Sequence, residues 1–300
     1  MQYQSVQTCQ SCFMQPDAER AEDVIKYGVI TVRPTTRIYQ ALACIVDLNI
    51  SGLPVVNDNF ELEGIITEKD LLVLLYQKQS TSGVVQTHMK REVVSFPAET
   101  PLEEICQCLL ANSFRRVPIT KNGKVTSVIS RTDLLRANLH KFLMPIEEPP
   151  ISRNENPFPA WTVMKKSLIT IHPDSPLPEA IATMADYSLS GLPVVEKEMR
   201  LVGIITEKDV MPYFYGDRKP PEQVGDLMST DIIFSGPHED VTHICQCLIE
   251  NQFRRVPIVK DGVLMGQVSR ADVIRYILRN IARFSQFRAA QIVDQLIHQP

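Results

Sequence analysis

The sequence predicts an α/β fold built from four copies of one small unit, grouped as two paired halves. Three observations predict it. Residues 105–136 and 244–275 align without a gap at a shift of 139, and the same shift lays SGLPVV at 51–56 on 190–195 and GIITEKD at 64–70 on 203–209. Inside each half, a shift of 64 lays Pro54 on Pro118 and Pro193 on Pro257. Every unit passes from helix-spaced to strand-like hydrophobic patterning in the same order. Self-similarity at a fixed period marks a repeat architecture, and the weaker inner match orders the units A-B-A′-B′.

Each unit repeats the same elements. A helix comes first: in the second unit Leu102, Ile105, Cys106, Leu109 and Leu110 recur at helix spacing. A short buried strand around a proline follows, LPVV or VPI. A turn such as Lys121-Asn122-Gly123 or Lys260-Asp261-Gly262 reverses the chain. A second strand, GIIT or SVIS, leads into a helix with an acidic residue in its first turn, where the helix dipole favours negative charge. A unit of roughly 55–60 residues is marginal alone, so pairing is expected to cover its sheet face. The expected boundaries are an extension at 1–19, units at 20–78, 85–143, 160–216 and 224–281, and an amphipathic helix at 282–300. The linker at 144–159 holds five prolines and breaks regular structure.

Composition narrows the function. The chain has 300 residues, 44% hydrophobic and 22% charged, as an ordinary globular protein does. A net charge of −4 argues against a general grip on nucleic acid, which needs a basic face. No segment reaches the roughly 18 apolar residues that span a bilayer, and the N-terminus lacks the basic-then-apolar pattern of a secretory signal. The expectation is a cytoplasmic protein, with no membrane, whose seven cysteines are reduced thiols. No GxSxG, Walker, GxGxxG or HExxH pattern appears, so hydrolase and kinase chemistry has no support. No catalytic residue and no metal ligand set is assigned.

These motifs resemble the cystathionine-beta-synthase (CBS) domain family over about residues 20–280. Four times the chain carries an opening hydrophobic turn (Asp23-Val24-Ile25, His88-Met89, Val163-Met164, Leu227-Met228), the proline strand, and a closing strand-(Thr/Ser)-x-x-Asp, led by glycine in three units and by Ser127 in the second. The resemblance implies four CBS repeats forming two Bateman modules, joined as a pseudo-symmetric disk. Four units in one chain look like the gamma subunit of AMP-activated protein kinase. The implied function is regulatory and non-catalytic: sensing AMP, ADP or ATP, with or without Mg, in clefts between paired repeats, and altering an unidentified protein partner.

The resemblance also carries site residues. The ribose ligands would be Asp70, Asp133, Asp209 and Asp272, since a carboxylate can accept hydrogen bonds from both hydroxyls of a ribose diol. The hydroxyls of Thr67, Ser130, Thr206 and Ser269, three residues earlier, would reach ribose or phosphate. The same pattern also reads as a plain helix cap. Arg115, Arg116, Arg254 and Arg255 precede the strand prolines in units 2 and 4, and Arg131 and Arg270 follow the serines there. Guanidinium forks suit phosphate, so these six form the implied phosphate clamp, with Asp133 and Asp272 as the expected filled sites. Arginines paired with Glu68 or Glu207 instead would favour a scaffold with vestigial pockets. The base pocket would be lined by Ile30, Thr31, Val94, Ser95, Ile169, Thr170, Ile233 and Phe234. Phe234 departs from Thr and Ser at its register, and Ser127 stands where the other units have Gly64, Gly203 and Gly266.

Other ligands stay open. S-adenosylmethionine is cationic at sulfur and needs no arginine clamp; a cyclic dinucleotide is a further alternative. Cys9-x-x-Cys12 has no second pair to complete a four-ligand zinc site. Cys106-x-Cys108 and Cys245-x-Cys247 lie on helices, where side chains two residues apart point about 200° apart. Cys106 and Cys245 therefore read as small core residues. The apolar spacing from Ile277 to Ile297 suits packing on the last unit or a homodimer contact.

Overall fold

The computed structural model describes residues 19–25, 28–76, 83–143, 159–215 and 220–279. The tail at 282–300, Cys9 and Cys12 lie outside them.

The first helix of each unit is Ile38–Asp47, Leu102–Ala111, Leu177–Asp186 or Val241–Glu250. In unit 2 the buried positions are Leu102, Ile105, Cys106 and Leu109, one face of a 3.6-residue repeat. An antiparallel hairpin follows: Gly52–Val56 with Leu62–Thr67, Arg116–Lys121 with Lys124–Ser130, Gly191–Val195 with Leu201–Thr206, and Arg255–Lys260 with Val263–Ser269. In units 2 and 4 the turn is two residues long. Asn122 and Gly123 have φ of 53° and 75°, and Asp261 and Gly262 have 53° and 81°, the left-handed pair that matches strand twist in a tight hairpin. Before the first helix, the start of each unit adds one parallel bridge to the hairpin in units 1, 3 and 4 (Val32–Val55, Ile171–Val194, Ser235–Ile258) and the two-residue strand Phe96–Pro97 in unit 2.

The alternation of the antiparallel ladder explains how units pair. Pro54 turns its carbonyl to Val32, away from the second strand. Ile65, opposite Pro54, therefore points its own backbone groups outward and exchanges both hydrogen bonds with Lys90 of unit 2, each at 2.9 Å. Pro193 lies opposite Ile204, which pairs with Ser229 of unit 4 at 3.0 and 2.9 Å. Pro257 lies opposite Gln267, which pairs with Lys165 of unit 3 at 2.9 and 3.0 Å. The opening turn of one unit therefore docks on the second strand of its partner.

The second helix is Glu68–Tyr76 in unit 1, Arg131–Leu143 in unit 2 and 270–279 in unit 4. In unit 3 it is split into Glu207–Val210 and Pro212–Tyr215, because Pro212 cannot continue the helix. Units 2 and 4 share one core, in which Ile105, Leu109, Leu134 and Leu135 meet Ile244, Leu248, Val273 and Ile274. Units 1 and 3 exchange single residues: Leu72 enters the core of unit 3 and Met211 that of unit 1. Strand contacts (1 with 2, 3 with 4) and helix contacts (1 with 3, 2 with 4) thus close a ring of four. Among the described residues no helix is long and apolar enough to cross a membrane.

Candidate functional site

The four Thr/Ser-x-x-Asp motifs share one local geometry. Asp Oδ2 accepts from the backbone N–H of the hydroxyl residue at 2.9 Å (Thr67), 2.9 Å (Ser130), 2.7 Å (Thr206) and 3.0 Å (Ser269). The same oxygen accepts the hydroxyl in each case. This is a reciprocal cap of the following turn, and it engages one carboxylate oxygen. What differs is Oδ1. At Asp70 it meets Lys90 Nζ at 3.1 Å, and at Asp133 it lies 3.9 Å from Arg136. At Asp272, only 5% exposed, it holds Arg275 at 2.9 Å and Lys165 at 3.4 Å. Asp209 makes no ion pair among the described residues.

The arginines divide into three pairs. Arg115 and Arg254 converge on Glu68 and Glu207, carboxylates with exposures of 1% and 0%. Arg115 donates to Glu207 at 3.1 and 3.4 Å and lies 3.7 Å from Glu68. Arg254 donates to Glu207 at 2.9 Å and also to Glu68. Arg116 and Arg255 bond Ser51 and Gly52, and Ser190 and Gly191, of their partner units. Arg131 and Arg270 turn back on the carbonyls of Leu109 (2.8 Å) and Leu248 (3.4 Å). Burial pushes the Glu68 carboxyl up, against the pull of Arg254 and Arg115. For Arg254 burial works downward, but Glu68 and Glu207 outweigh it and hold the guanidinium above its ordinary value. Burial, reinforced by neighbouring arginines, lowers Arg116, Arg131, Arg255 and Arg270 to about 10. All four stay charged at neutral pH in a cationic centre with two carboxylates.

A cleft of about 490 Å³ opens between units 3 and 4, a size typical of small-molecule sites, roughly 300–1,000 Å³. Thr206 and Asp209 of unit 3 form one wall. Ile232 and Ile233 of unit 4 face them, with Pro193, Ile204 and Pro257 as further apolar lining. Arg254 and Arg255 stand in the same cleft, and Asn49 of unit 1 reaches its edge, accepting a bond from Lys208. Gln267 also lines it, and its Oε1 is buried without a partner among the described residues. A buried acceptor of that kind calls for a donor.

The expectation set the filled sites at Asp133 and Asp272; the cleft between units 3 and 4 opens at Asp209. The reason is the pairing of units, which turns the arginines of unit 4 toward the aspartate of unit 3. Asp272 is closed off by Lys165 and Arg275. Of the base-pocket residues, Ile233 lines this cleft, whereas Phe234 is 57% exposed and is not among the lining residues. Ile30 and Val94 are exposed, and Thr31, Ser95, Ile169 and Thr170 are partly buried outside this cleft. Gln267, Ser229 and Asp231 belong to it although no motif marks them. Their signal is their difference from the 139-shifted residues Val128, Lys90 and Glu92. Cys106 and Cys245 sit in the core, and burial pushes the Cys245 thiol up to about 12. Among the described residues no group of three or more His, Cys, Asp and Glu side chains could hold a metal ion.

Comparison with known proteins gives the family. The CBS domain model matches residues 21–77, 84–140, 160–216 and 224–279. The chain is 29% identical over 202 residues to MJ1225 of Methanocaldococcus jannaschii, covering 65% of this chain and 70% of that protein. It is 25% identical over 277 residues to MJ1404 of the same organism, covering 86% of this chain and 62% of that protein. The crystal structure of MJ1225, proposed to be an archaeal homolog of g-AMPK, superposes with a TM-score of 0.75 at 22% identity, over 86% of this chain and 99% of the other. CBSX2 of Arabidopsis thaliana, crystallised in complex with AMP, is 30% identical over 41% of this chain and 98% of its own length, with a TM-score of 0.38. With four matched repeats covering most of its length, the chain belongs to the CBS domain family.

Proposed function

We propose that this chain is a non-catalytic regulatory sensor that binds an adenine nucleotide in the cleft between units 3 and 4. One observation carries the proposal: a carboxylate with one oxygen free of ion pairs among the described residues, an apolar wall and an arginine pair all face one cleft of about 490 Å³. Asp209 Oδ1 would take the ribose hydroxyls while Oδ2 keeps the Thr206 cap. The base would lie against Ile233, its exocyclic amino group answering the unpaired Gln267 Oε1. The phosphates of AMP, ADP or Mg-bound ATP would reach Arg254 and Arg255.

Arg254 gives binding a consequence. It lines the cleft and also bonds Glu68 of unit 1. A phosphate that draws Arg254 away from Glu68 and Glu207 weakens a contact joining the two modules. The ring's shape, read by a protein partner or by a second copy of the chain, then follows occupancy. The test is a thermal-shift panel of AMP, ADP, ATP, S-adenosylmethionine and cyclic di-AMP on wild type and Asp209→Ala. A shift with an adenine nucleotide that disappears in the variant supports the proposal, and no shift with any of the five removes it.

One observation favours a second function, a scaffold. Arg115 and Arg254 are already engaged by buried carboxylates, so the centre is satisfied without ligand. A flat panel would select it.

A further inference from the structure

In units 2, 3 and 4 the residue after the opening turn sits at a fixed place beside the partner unit's aspartate. It is Lys26, Lys90, Lys165 and Ser229 in units 1 to 4. Lys26 lies outside the described residues; the other three can be compared. Lys90, Lys165 and Ser229 are each locked by two backbone hydrogen bonds to the strand that runs into the partner's Thr/Ser-x-x-Asp, on Ile65, Gln267 and Ile204. That register aims the side chain at the carboxylate. Lys90 Nζ reaches Asp70 Oδ1 at 3.1 Å and Lys165 Nζ reaches Asp272 Oδ1 at 3.4 Å. In both cases the engaged oxygen is the one the cap leaves over. Ser229 lines the cleft in front of Asp209 and is too short to pair with it.

We infer that this position is the specificity determinant of the three sites it faces at Asp70, Asp209 and Asp272: a lysine reserves the aspartate for an internal ion pair, and the serine of unit 4 leaves Asp209 to the ribose diol of a nucleotide. The inference rests on the adenine-nucleotide function proposed above and makes Asp209 the open site of these three. The competition is direct. A diol must displace an ammonium from the same oxygen, exchanging a charged partner for a neutral one, and charge-assisted hydrogen bonds are the stronger kind.

The experiment is isothermal titration calorimetry of the full chain with AMP and with ATP, on wild type, Ser229→Lys, Lys90→Ser and Lys90→Ser/Asp70→Ala. Positions 90 and 229 are solvent-exposed, and lysine and serine already exchange there between units, so Ser229→Lys and Lys90→Ser keep the fold; Asp70→Ala also removes a helix cap, and circular dichroism checks that the double variant stays folded. Wild type should bind a nucleotide at Asp209. Ser229→Lys should weaken binding by roughly tenfold or more, the loss expected when a charged acceptor is taken away. Lys90→Ser should add a second, weaker site that Asp70→Ala removes. Unchanged or tighter binding by Ser229→Lys, or a Lys90→Ser with no more sites than wild type, would each overturn the inference and leave nucleotide binding standing. No binding by wild type would remove the proposed function and the inference with it.

Discussion

Asp209 and its three counterparts have two chemical jobs at once. Each caps the turn after its strand through Oδ2, and each has a second oxygen whose use depends on its neighbours. Helix capping and ribose binding therefore do not exclude each other. Asp209→Ala should cost about 0.5–2 kcal/mol of stability through the lost cap. For that reason the ligand test compares the increment that nucleotide adds to the melting temperature, not the melting temperature itself. A ligand at a hundredfold excess over Kd adds about 2.7 kcal/mol to wild type, and that increment should vanish in Asp209→Ala. The four aspartates were legible because the repeat puts them at one register. Their unequal availability was not, because Lys90 lies 20 residues beyond Asp70 and Lys165 lies far before Asp272 in the sequence. Only the pairing of units brings them together. The arginines were half legible. Their positive charge was plain, and pairing with Glu68 and Glu207 stood as the alternative to a phosphate clamp. Arg115 and Glu207 are 92 residues apart, so nothing in the local pattern could decide.

At the level of elements, glycine and methionine fit together across each pair of units. A Cβ on Gly64 would lie 2.7 Å from Met89 Sδ and 2.8 Å from the Lys90 carbonyl oxygen. On Gly266 it would lie 2.9 Å from Met164 Sδ and 2.8 Å from the Lys165 carbonyl oxygen. On Gly203 it would meet the Met228 side chain alone, with Cγ at 2.8 Å. The methionine can shift, but the carbonyl is fixed by the backbone exchange that docks the units. Gly64→Ala should therefore destabilise by about 1–3 kcal/mol, measured by urea unfolding. The exception is informative: Ser127 of unit 2, buried in its own unit, corresponds to those glycines, and the opening turn of its partner carries Ile25 where the others carry methionine. The serine thus accompanies a shorter neighbour. Helices and hairpins were legible from spacing and from the Asn-Gly and Asp-Gly turns. The opening strand was not, because a single parallel bridge is too short to leave an alternating pattern. The helix break at Pro212 was written in the sequence as well, although the repeat alignment with unit 1 suggests a continuous helix.

Across the whole molecule, the ring is held by hydrophobic cores at its sides and by a charged cluster at its centre. Glu68 and Glu207 are fully buried, so removing one leaves arginines short of a partner in a desolvated place. Glu207→Gln should cost about 3–5 kcal/mol, as breaking a buried ion pair does, and calorimetric unfolding will report it. The same change frees Arg254, so AMP affinity should rise even as stability falls; a pure scaffold would show the stability loss alone. The order of units around the ring could not be read from repeats, which say that units are alike and not which ones touch. The central claim is that the cleft at Asp209 holds an adenine nucleotide, and the most direct measurement is a crystal structure of the full chain grown with millimolar AMP. One nucleotide between units 3 and 4, with its ribose hydroxyls on Asp209 Oδ1 and its phosphate at Arg254, is the expected result. An empty cleft under those conditions, or AMP bound at Asp70 or Asp272 instead, would contradict it.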